Sequence, residues 1–528
     1  MKNPYTLAII SGVLLALAWP TYGVSLIIFF SFVPLLYAAH AIRNSEVFKK
    51  KLKVFAVAYL TFLIWNAITT WWIYFATPYG MLFAVLVNSL LMTLVFLLYN
   101  SVAKRLPQKL SLIFLPAIWL TFEKFHLNWD FSWPWLNLGN VFATSTNYIQ
   151  WYEYTGSFGG SLWVWVVNIA IFKLVLKYAT SKSIKDIQKN IVVALLLIAL
   201  PIALSLVLKM NYKEEGATAE AVILQPNIDP YSEKYNTSNI QISRLLLELT
   251  AEKITDNTSI IIAPETVFAD NTKLSSVNKT LMFFRLREYL KQYPNADLLA
   301  GISLFELIKN EKNVGYQTNK IKDGLWFNDY NSAFFMNGLV DSVPLYHKSK
   351  LVVGVENFPY KWFFEPLMGD MMLDLGGTVA TKTTQEDRTP FTGNDYRVAP
   401  IICYESVYGE YVSKFVRNRA DFLAIITNDA WWGNTQGHKQ HLNYARLRAI
   451  ETRRSIIRSA NTGISAVINQ KGDIEQQLGY DEQGVLKSTI HKNQSLTFYV
   501  KYGDYIARIA IFLSALGVLF AFTRKRPS

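Results

Sequence analysis

Long apolar runs separated by short polar stretches fill the first 210 residues of the chain, and one further apolar run lies close to the C-terminal end. A helix needs about 20 apolar residues to cross a lipid bilayer, and several runs reach this length. We therefore predict eight transmembrane helices. They are expected at Thr6–Trp19, Val24–Ile42, Val54–Phe75, Met81–Val102, Leu110–Phe122, Leu162–Tyr178, Ile191–Leu208 and Tyr505–Phe522. The first run also resembles a signal peptide, but the next run follows almost at once, which favours a retained helix.

Between the seventh and eighth runs, short apolar segments alternate with helix-like stretches. Strands are predicted at Ala221–Gln225, Ser259–Ala263, Leu298–Ser303, Ser332–Met336, Val398–Cys403, Phe422–Thr427 and Ile464–Asn469. Helices are predicted at Gln241–Ile254, Lys279–Tyr293, Tyr408–Asn418 and Leu442–Ser459. Such alternation is typical of a layered α/β domain. The pattern predicts a membrane domain over residues 1–210, an α/β domain over residues 211–504, and an eighth membrane helix with a basic tail over residues 505–528.

Composition and charge support this division. Charged residues make up 17% of the chain, below the roughly 25% that is usual in soluble proteins, which argues against a fully soluble protein. The net charge of +13 is concentrated in residues 1–210, which hold 16 Lys and Arg against 5 Asp and Glu. A basic excess in the apolar part of a chain is typical of a membrane protein rather than of one that binds nucleic acid.

Clusters of Lys and Arg give the predicted helices an orientation. The clusters lie between the second and third runs, the fourth and fifth, and the sixth and seventh, and after the eighth. Basic loops tend to stay on the cytoplasmic side of a membrane. All four clusters share that side only if there are eight spans with both termini in the cytoplasm. The α/β domain is then outside the cytoplasm.

Three strand-like runs of the α/β domain end next to a residue that can take part in catalysis. These residues are Glu265, Lys348 and Cys403, the single cysteine of the chain. Ligand sites of open α/β sheets commonly lie at strand ends. A thiol is a weak nucleophile until it loses its proton, so it needs a base and a positive charge nearby. Glu265 could accept the Cys403 proton, and Lys348 could stabilise the thiolate and the oxyanion that forms on a carbonyl substrate.

Two further glutamates lie close to this trio in the sequence. Glu356 is eight positions after Lys348, and Glu405 is two positions after Cys403. We expect their side chains to form hydrogen bonds that hold the lysine and the glutamate of the trio. Each residue alone has a simpler explanation, because an exposed Glu or Lys is usually solvated and a lone Cys is usually a small buried apolar residue. Only the combination of these residues is specific evidence for a catalytic site.

The order of these residues resembles the carbon–nitrogen hydrolase (nitrilase) superfamily. The matching segments are Pro264-Glu265, Tyr346–Leu351 with the following Glu356, Cys403-Tyr404-Glu405, Thr427–Trp432, Arg448–Thr452 and Arg458–Gly463. The resemblance implies an α-β-β-α sandwich in which Glu265, Lys348 and Cys403 form the catalytic triad. It also implies that Glu356, Tyr404 and Glu405 support the active site.

With membrane helices on both sides of the α/β domain, the chain resembles the membrane-bound acyltransferases of this superfamily over essentially all 528 residues. This implies a two-step transfer of a fatty acyl chain from a phospholipid, through a thioester on Cys403, to the N-terminal amine of diacylglyceryl-cysteine apolipoproteins. It also implies a bacterial inner membrane. We expect no cofactor, no metal, no nucleic-acid partner and a monomer. Tyr235 takes the place of a Trp in a mobile loop of the family. We expect Tyr235, Trp133 and Trp135 to form substrate loops.

Other interpretations stay open at this point. A membrane-anchored amidase or nitrilase that acts on a small molecule would use the same trio with water as the acyl acceptor. A transporter or binding protein with an inactive outer domain would account for the helices. The aromatic segment Glu123–Gly160 is expected to form a belt at the membrane surface, with or without specific lipid contacts. His438 and His441 are three positions apart, and a surface pair is a simpler interpretation than a zinc site.

Overall fold

The computed structural model describes residues 3–230, 233–234, 236–357, 359–360 and 380–523. Contacts within the chain divide it into two compact units. One unit consists of Met1–Tyr212 and Tyr502–Ser528, and the other of Lys213–Lys501. We refer to the first as the helical unit and to the second as the α/β unit.

The helical unit is built from apolar helices. Helices α1–α7 cover Pro4–Ala18, Ser25–Asn44, Lys50–Phe75, Pro78–Val102, Gln108–His126, Ser157–Ser181 and Ile184–Asn211, and the C-terminal helix covers Tyr505–Thr523. Each predicted apolar run falls on one of these helices. Among the described residues, six helices are long and apolar enough to cross a membrane, and α1 and α5 are not among them. The number of eight crossings therefore stays a prediction.

The aromatic segment after α5 packs largely inside the helical unit. Trp135 is 1% exposed, and its ring centroid lies 5.0 Å from that of Trp72. Trp133 stacks on Trp135 at 5.5 Å and is partly exposed. Trp151 and Tyr152 are also buried. The interpretation of this segment as a belt at the membrane surface is wrong for these buried rings, because the unit's own helices cover their large apolar faces.

Two sheets form the centre of the α/β unit. Strands β1–β7 are Thr218–Gln225, Thr258–Ile262, Phe268–Lys273, Asp297–Ile308, Asn319–Lys322, Leu325–Met336 and Leu345–His347. Strands β8–β14 are Phe391–Thr392, Arg397–Ile402, Phe422–Thr427, Ile456–Ala460, Ala466–Ile468, Ile474–Gln477 and Gly484–His491. The first sheet has the order β14-β1-β2-β4-β6-β5, with β3 on β4 and β7 on β6, and the second runs from β13 to β8 in reverse chain order. The neighbouring strands β9, β10 and β11 are parallel.

Helices cover the outer faces of the two sheets. Helices α8–α11 are Asn239–Ala251, Leu281–Leu290, Gly409–Arg417 and Gln436–Thr452. Leu246 of α8 and Phe283 of α9 belong to one apolar core with Ile261 of the first sheet, while α10 packs on β9 and on α11. The sheets face each other, and Ser459 Oγ of β11 donates to the Leu224 carbonyl oxygen of β1 at 2.6 Å. The predicted α-β-β-α sandwich is confirmed.

One predicted helix is too long. The sequence pattern predicted a helix over Leu442–Ser459, but α11 ends at Thr452 and Ile456–Ala460 form β11. Arg453 ends the helix in a left-handed conformation, with φ of 50°. The β-branched pair Ile456 and Ile457 favours the strand, in which it is fully buried between neighbours.

Candidate active site

Glu265, Lys348 and Cys403 each lie just beyond the end of a strand. They follow β2, β7 and β9, respectively. The Lys348 ammonium donates to Glu265 Oε1 at 2.8 Å, and each of the three residues is at most 6% exposed. The charges of Glu265 and Lys348 also act on the Cys403 thiol. The fold therefore brings the predicted trio together in one buried site.

Lys348 lies between two carboxylates. Its Nζ is 2.8 Å from Glu265 Oε1 and 2.9 Å from Glu356 Oε2. Asn331 of β6 donates from one amide nitrogen to Glu265 Oε1 and to Glu356 Oε1, both at 2.8 Å. Sequence reasoning missed Asn331, although a buried amide inside an apolar strand was a signal that could have identified it. The amide fixes the spacing of the two carboxylates around the ammonium.

Burial and the charges of this cluster shift the pKa values of its members. Burial opposes the charge on Lys348, but Glu265 and Glu356 outweigh burial and hold the pKa of Lys348 well above its usual value. Burial also opposes the charge on Glu356, yet Lys348 lowers the pKa of that carboxyl. For Cys403, burial and then the negative charge of Glu265 raise the thiol pKa, and the opposing effect of Lys348 is smaller. The thiol therefore needs a base at the moment of attack.

The turn at Cys403 is fixed by Glu405. Glu405 Oε2 accepts from the backbone nitrogen of Ile402 at 2.8 Å. Glu405 Oε1 accepts from the backbone nitrogen of Ser349 at 2.7 Å and from the Tyr346 hydroxyl at 2.8 Å. The carboxylate thus joins the strand ends that carry Cys403 and Lys348. The expectation that Glu356 holds the lysine agrees with the contacts. For Glu405, which was expected to hold the lysine or the glutamate, these hydrogen bonds go instead to the backbone beside Cys403 and Lys348 and to Tyr346.

Two families match the chain. Residues 11–170 match the apolipoprotein N-acyltransferase N-terminal domain, and residues 300–495 match carbon-nitrogen hydrolase. An apolipoprotein N-acyltransferase of Chlorobaculum tepidum is 28% identical over 100% of this chain and 98% of its own length. One of Geobacter metallireducens is 26% identical over 99% of this chain and 96% of its own length. The chain belongs to the apolipoprotein N-acyltransferase family.

Solved structures of nitrilase-superfamily enzymes match about half of the chain. An amidase from Nesterenkonia AN1 is 13% identical over 56% of this chain and 98% of its own, with a TM-score of 0.38. Nit3 of Saccharomyces cerevisiae is 12% identical over 55% of this chain and 95% of its own, with a TM-score of 0.37.

Family membership and the apolar helices together identify a bacterial membrane protein of the acyltransferase class.

The remaining predicted residues of this family's site are distributed as follows. Tyr404 is buried beside Cys403, and its ring meets that of Tyr408 edge-on at 5.2 Å. Trp133 and Trp135 belong to the helical unit. Tyr235 lies outside the described residues. Sequence reasoning missed the neighbouring Lys234, which is buried and donates to Thr266 Oγ1 at 2.6 Å; burial lowers the pKa of this lysine to about 8.

His438 and His441 are not a surface pair. Both are fully buried, so that interpretation is wrong, because α11 packs these residues inside the unit. His441 Nδ1 is 3.0 Å from Asp429 Oδ1, and ligand-type atoms of Cys403, Asp429 and His441 lie within 4.8 Å of one another. Asp429 already accepts from Arg458 Nη2 at 2.6 Å.

Proposed function

We propose that the chain transfers a fatty acyl group from a membrane phospholipid to the N-terminal α-amino group of diacylglyceryl-cysteine apolipoproteins, the last step of lipoprotein maturation. The observation that carries the proposal is the buried Glu265–Lys348 pair, with 2.8 Å between Nζ and Oε1, beside the Cys403 thiol. The names of the full-length relatives support the acceptor and the reaction class.

In the first step, Cys403 Sγ attacks the carbonyl carbon of the phospholipid ester. Glu265 takes the thiol proton, which is still in place because burial and Glu265 raise the thiol pKa. Lys348 stabilises the negative oxygen of the tetrahedral intermediate, and Glu356 keeps the ammonium charged and in position. The ester C–O bond then breaks, Glu265 returns the proton to the leaving oxygen, and lysophospholipid departs. A thioester remains on Cys403.

In the second step, the free amine of the lipoprotein attacks the thioester. Glu265 accepts a proton from the amine, the C–S bond breaks, and the thiolate regains the proton from Glu265. The products are an amide on the lipoprotein and the original thiol. The thioester must be protected from water between the two steps, and Trp133, Trp135 and Tyr235 stay the predicted substrate-loop residues.

The reaction is tested with purified enzyme and phospholipid in the absence of acceptor. We expect one equivalent of lysophospholipid per enzyme and a hydroxylamine-sensitive acyl group on Cys403, with neither in Cys403→Ala. Because Cys403 is the single cysteine of the chain, a thioester has one location. Continuous release of free fatty acid would favour a hydrolase of the amidase kind. Acyl transfer that needs both substrates together, with no trapped thioester, would contradict the two-step scheme.

We also propose a location in the bacterial inner membrane, with eight spans, both termini in the cytoplasm and the α/β unit in the periplasm. The four basic clusters of the sequence support this orientation. A reporter fused after Ser528 or inserted within 181–190 should be cytoplasmic, and one inserted beside Asp481 should be periplasmic. A cytoplasmic reporter beside Asp481 would overturn the proposed orientation.

A further inference from the structure

Cys403 has an unusual backbone conformation. Its φ is 50°, which lies in the left-handed region that residues other than glycine rarely adopt. A nucleophile in such a conformation depends on its surroundings to hold it there. Contacts to the Cys403 peptide groups therefore help to decide where Sγ points.

The carbonyl oxygen of Cys403 lies against two side chains from different elements. Ser406 Oγ donates to this oxygen at 2.7 Å, and His441 Nε2 of α11 lies 3.1 Å from it. Ser406 Oγ is also 2.9 Å from the same His441 nitrogen. All three residues are buried. Ser406 and His441 thus hold the carbonyl group of Cys403, the residue with the strained φ. We refer to these two contacts as the carbonyl clamp.

The imidazole of His441 is itself held from the other side. His441 Nδ1 is 3.0 Å from Asp429 Oδ1, which also accepts from Thr427 Oγ1 at 2.7 Å. Arg458 Nη2 donates to the other oxygen, Oδ2, at 2.6 Å. The side chains of Asp429, His441 and Arg458 are all 0% exposed. This chain of contacts, Arg458–Asp429–His441, ends on the Cys403 carbonyl.

A metal ion is a less suitable occupant of this cluster, although Cys403, Asp429 and His441 offer ligand-type atoms within 4.8 Å. Both carboxylate oxygens of Asp429 already accept from donors, and one of these donors is the guanidinium of Arg458. A metal there would have to displace a buried cation from its partner. The contacts favour a scaffold of hydrogen bonds.

We propose that His441 is a positioning residue that holds the Cys403 carbonyl through Nε2, with Asp429 and Arg458 fixing the imidazole, so that Sγ stays aligned with Glu265 and Lys348. This inference rests on the proposed function, since it takes Cys403 as the nucleophile. The inference gives a structural role to the segments Thr427–Trp432 and Arg458–Gly463, which take no part in the proposed reaction steps.

Three substitutions of His441 separate this role from simple packing. The amide nitrogen of Gln reaches about as far as Nε2, whereas that of Asn reaches about as far as Nδ1. We therefore expect His441→Leu and His441→Asn to lower the single-turnover rate of Cys403 acylation about 100-fold. His441→Gln should recover at least a tenth of the wild-type rate. The half-saturating phospholipid concentration should not change, because the His441 side chain is fully buried behind the Cys403 carbonyl.

A packing role would give a different pattern. In that case Asn, which can keep the bond to Asp429, would be at least as active as Gln, or all three variants would share the wild-type rate per folded enzyme. Either result would overturn the inference while the wild type still forms the thioester. A wild type without any thioester would overturn the proposed function and this inference together.

A second variant covers the case in which the His441 variants do not fold. Ser406→Ala removes one buried oxygen atom and the other hydrogen bond to the Cys403 carbonyl. We expect a decrease of about 10-fold in the acylation rate with an unchanged half-saturating concentration. An unchanged rate in folded Ser406→Ala would show that the carbonyl clamp does not position the nucleophile.

Discussion

Two buried polar clusters, one in each unit of the chain, are built in different ways. In the helical unit, a row of neutral groups forms hydrogen bonds from one helix to the next. The Trp129 indole donates to His126 Nδ1 at 2.7 Å, and His126 Nε2 donates to Asn88 Oδ1 at 3.0 Å. Asn88 donates in turn to Asn66 Oδ1 at 2.7 Å. Each group in this row meets a partner without carrying a full charge.

In the α/β unit, full charges are buried in opposed pairs. Lys348 lies between Glu265 and Glu356, and Arg458 holds Asp429 at 2.6 Å with both side chains 0% exposed. Ionised groups lose much more hydration energy than amides when they are buried, so each needs a partner at close range. The comparison of these two clusters teaches that buried opposed charges surround the candidate active site of the α/β unit, while a row of neutral hydrogen bonds contributes to packing in the helical unit.

The largest effect on rate and stability should follow from removal of the Lys348 charge. Lys348→Met removes the partner of two buried carboxylates and the proposed stabiliser of the oxyanion. We expect the rate of Cys403 acylation to fall about 10³-fold and the free energy of unfolding to fall by about 3–5 kcal/mol. Acyl-enzyme formation from labelled phospholipid and thermal unfolding in detergent measure the two effects.

A matched lysine on the first sheet provides the control. Lys487 pairs with Glu220 at 3.0 Å, but its side chain is 30% exposed. Lys487→Met should therefore change the free energy of unfolding by no more than about 1 kcal/mol. Equal losses in the two variants would contradict the view that burial makes the Lys348 cluster special.

The sequence was sufficient for the fold class because the long apolar runs predicted helices and the short ones predicted strands, although β3, β5, β7, β8, β11, β13 and β14 were not among the predicted strands. It also predicted that Glu265, Lys348 and Cys403 lie close together, because each follows a strand-like run and strand ends of one layered domain converge. The order of the sequence motifs indicated the family. Apolar length alone could not decide how many helices cross a membrane, since α1 is only 15 residues long.

The missed features depend on contacts between residues that are distant in the sequence. Asn331 is one amide within a strand, and its role follows only from the two carboxylates it meets. His441 looked like a surface residue because its partners, Asp429 and the Cys403 carbonyl, are 12 and 38 positions away. The end of α11 was misjudged because the backbone of Arg453 turns left-handed, which its side chain does not signal.

An effect of intermediate size is expected on the pKa of the Cys403 thiol when a charged neighbour is removed. Only the thiolate reacts with iodoacetamide, so the pH dependence of Cys403 alkylation reports the pKa of this single cysteine. Burial and the negative charge of Glu265 both raise that pKa, and Lys348 lowers it. Glu265→Gln removes a negative charge, so the thiol pKa should fall and the alkylation profile should move to lower pH.

Lys348→Met should have the opposite sign and move the alkylation profile to higher pH, because the thiolate loses its positive neighbour. The two variants thus control for each other. A shift in the same direction for both would mean that changes in solvent access, rather than the charges of the cluster, determine the reactivity of the thiol.

The smallest effect is expected from the neutral row in the helical unit. Asn88→Leu removes the bonds to His126 and Asn66 but introduces no unpaired charge. Hydrogen bonds between membrane helices contribute about 1 kcal/mol or less, so the free energy of unfolding in detergent micelles should fall by about that amount. Leu86→Ala, an exposed position on the same helix, is the control and should have a smaller effect. A loss for Asn88→Leu as large as that for Lys348→Met would contradict the comparison, because a neutral row would then stabilise its unit as strongly as the buried ion cluster stabilises the other.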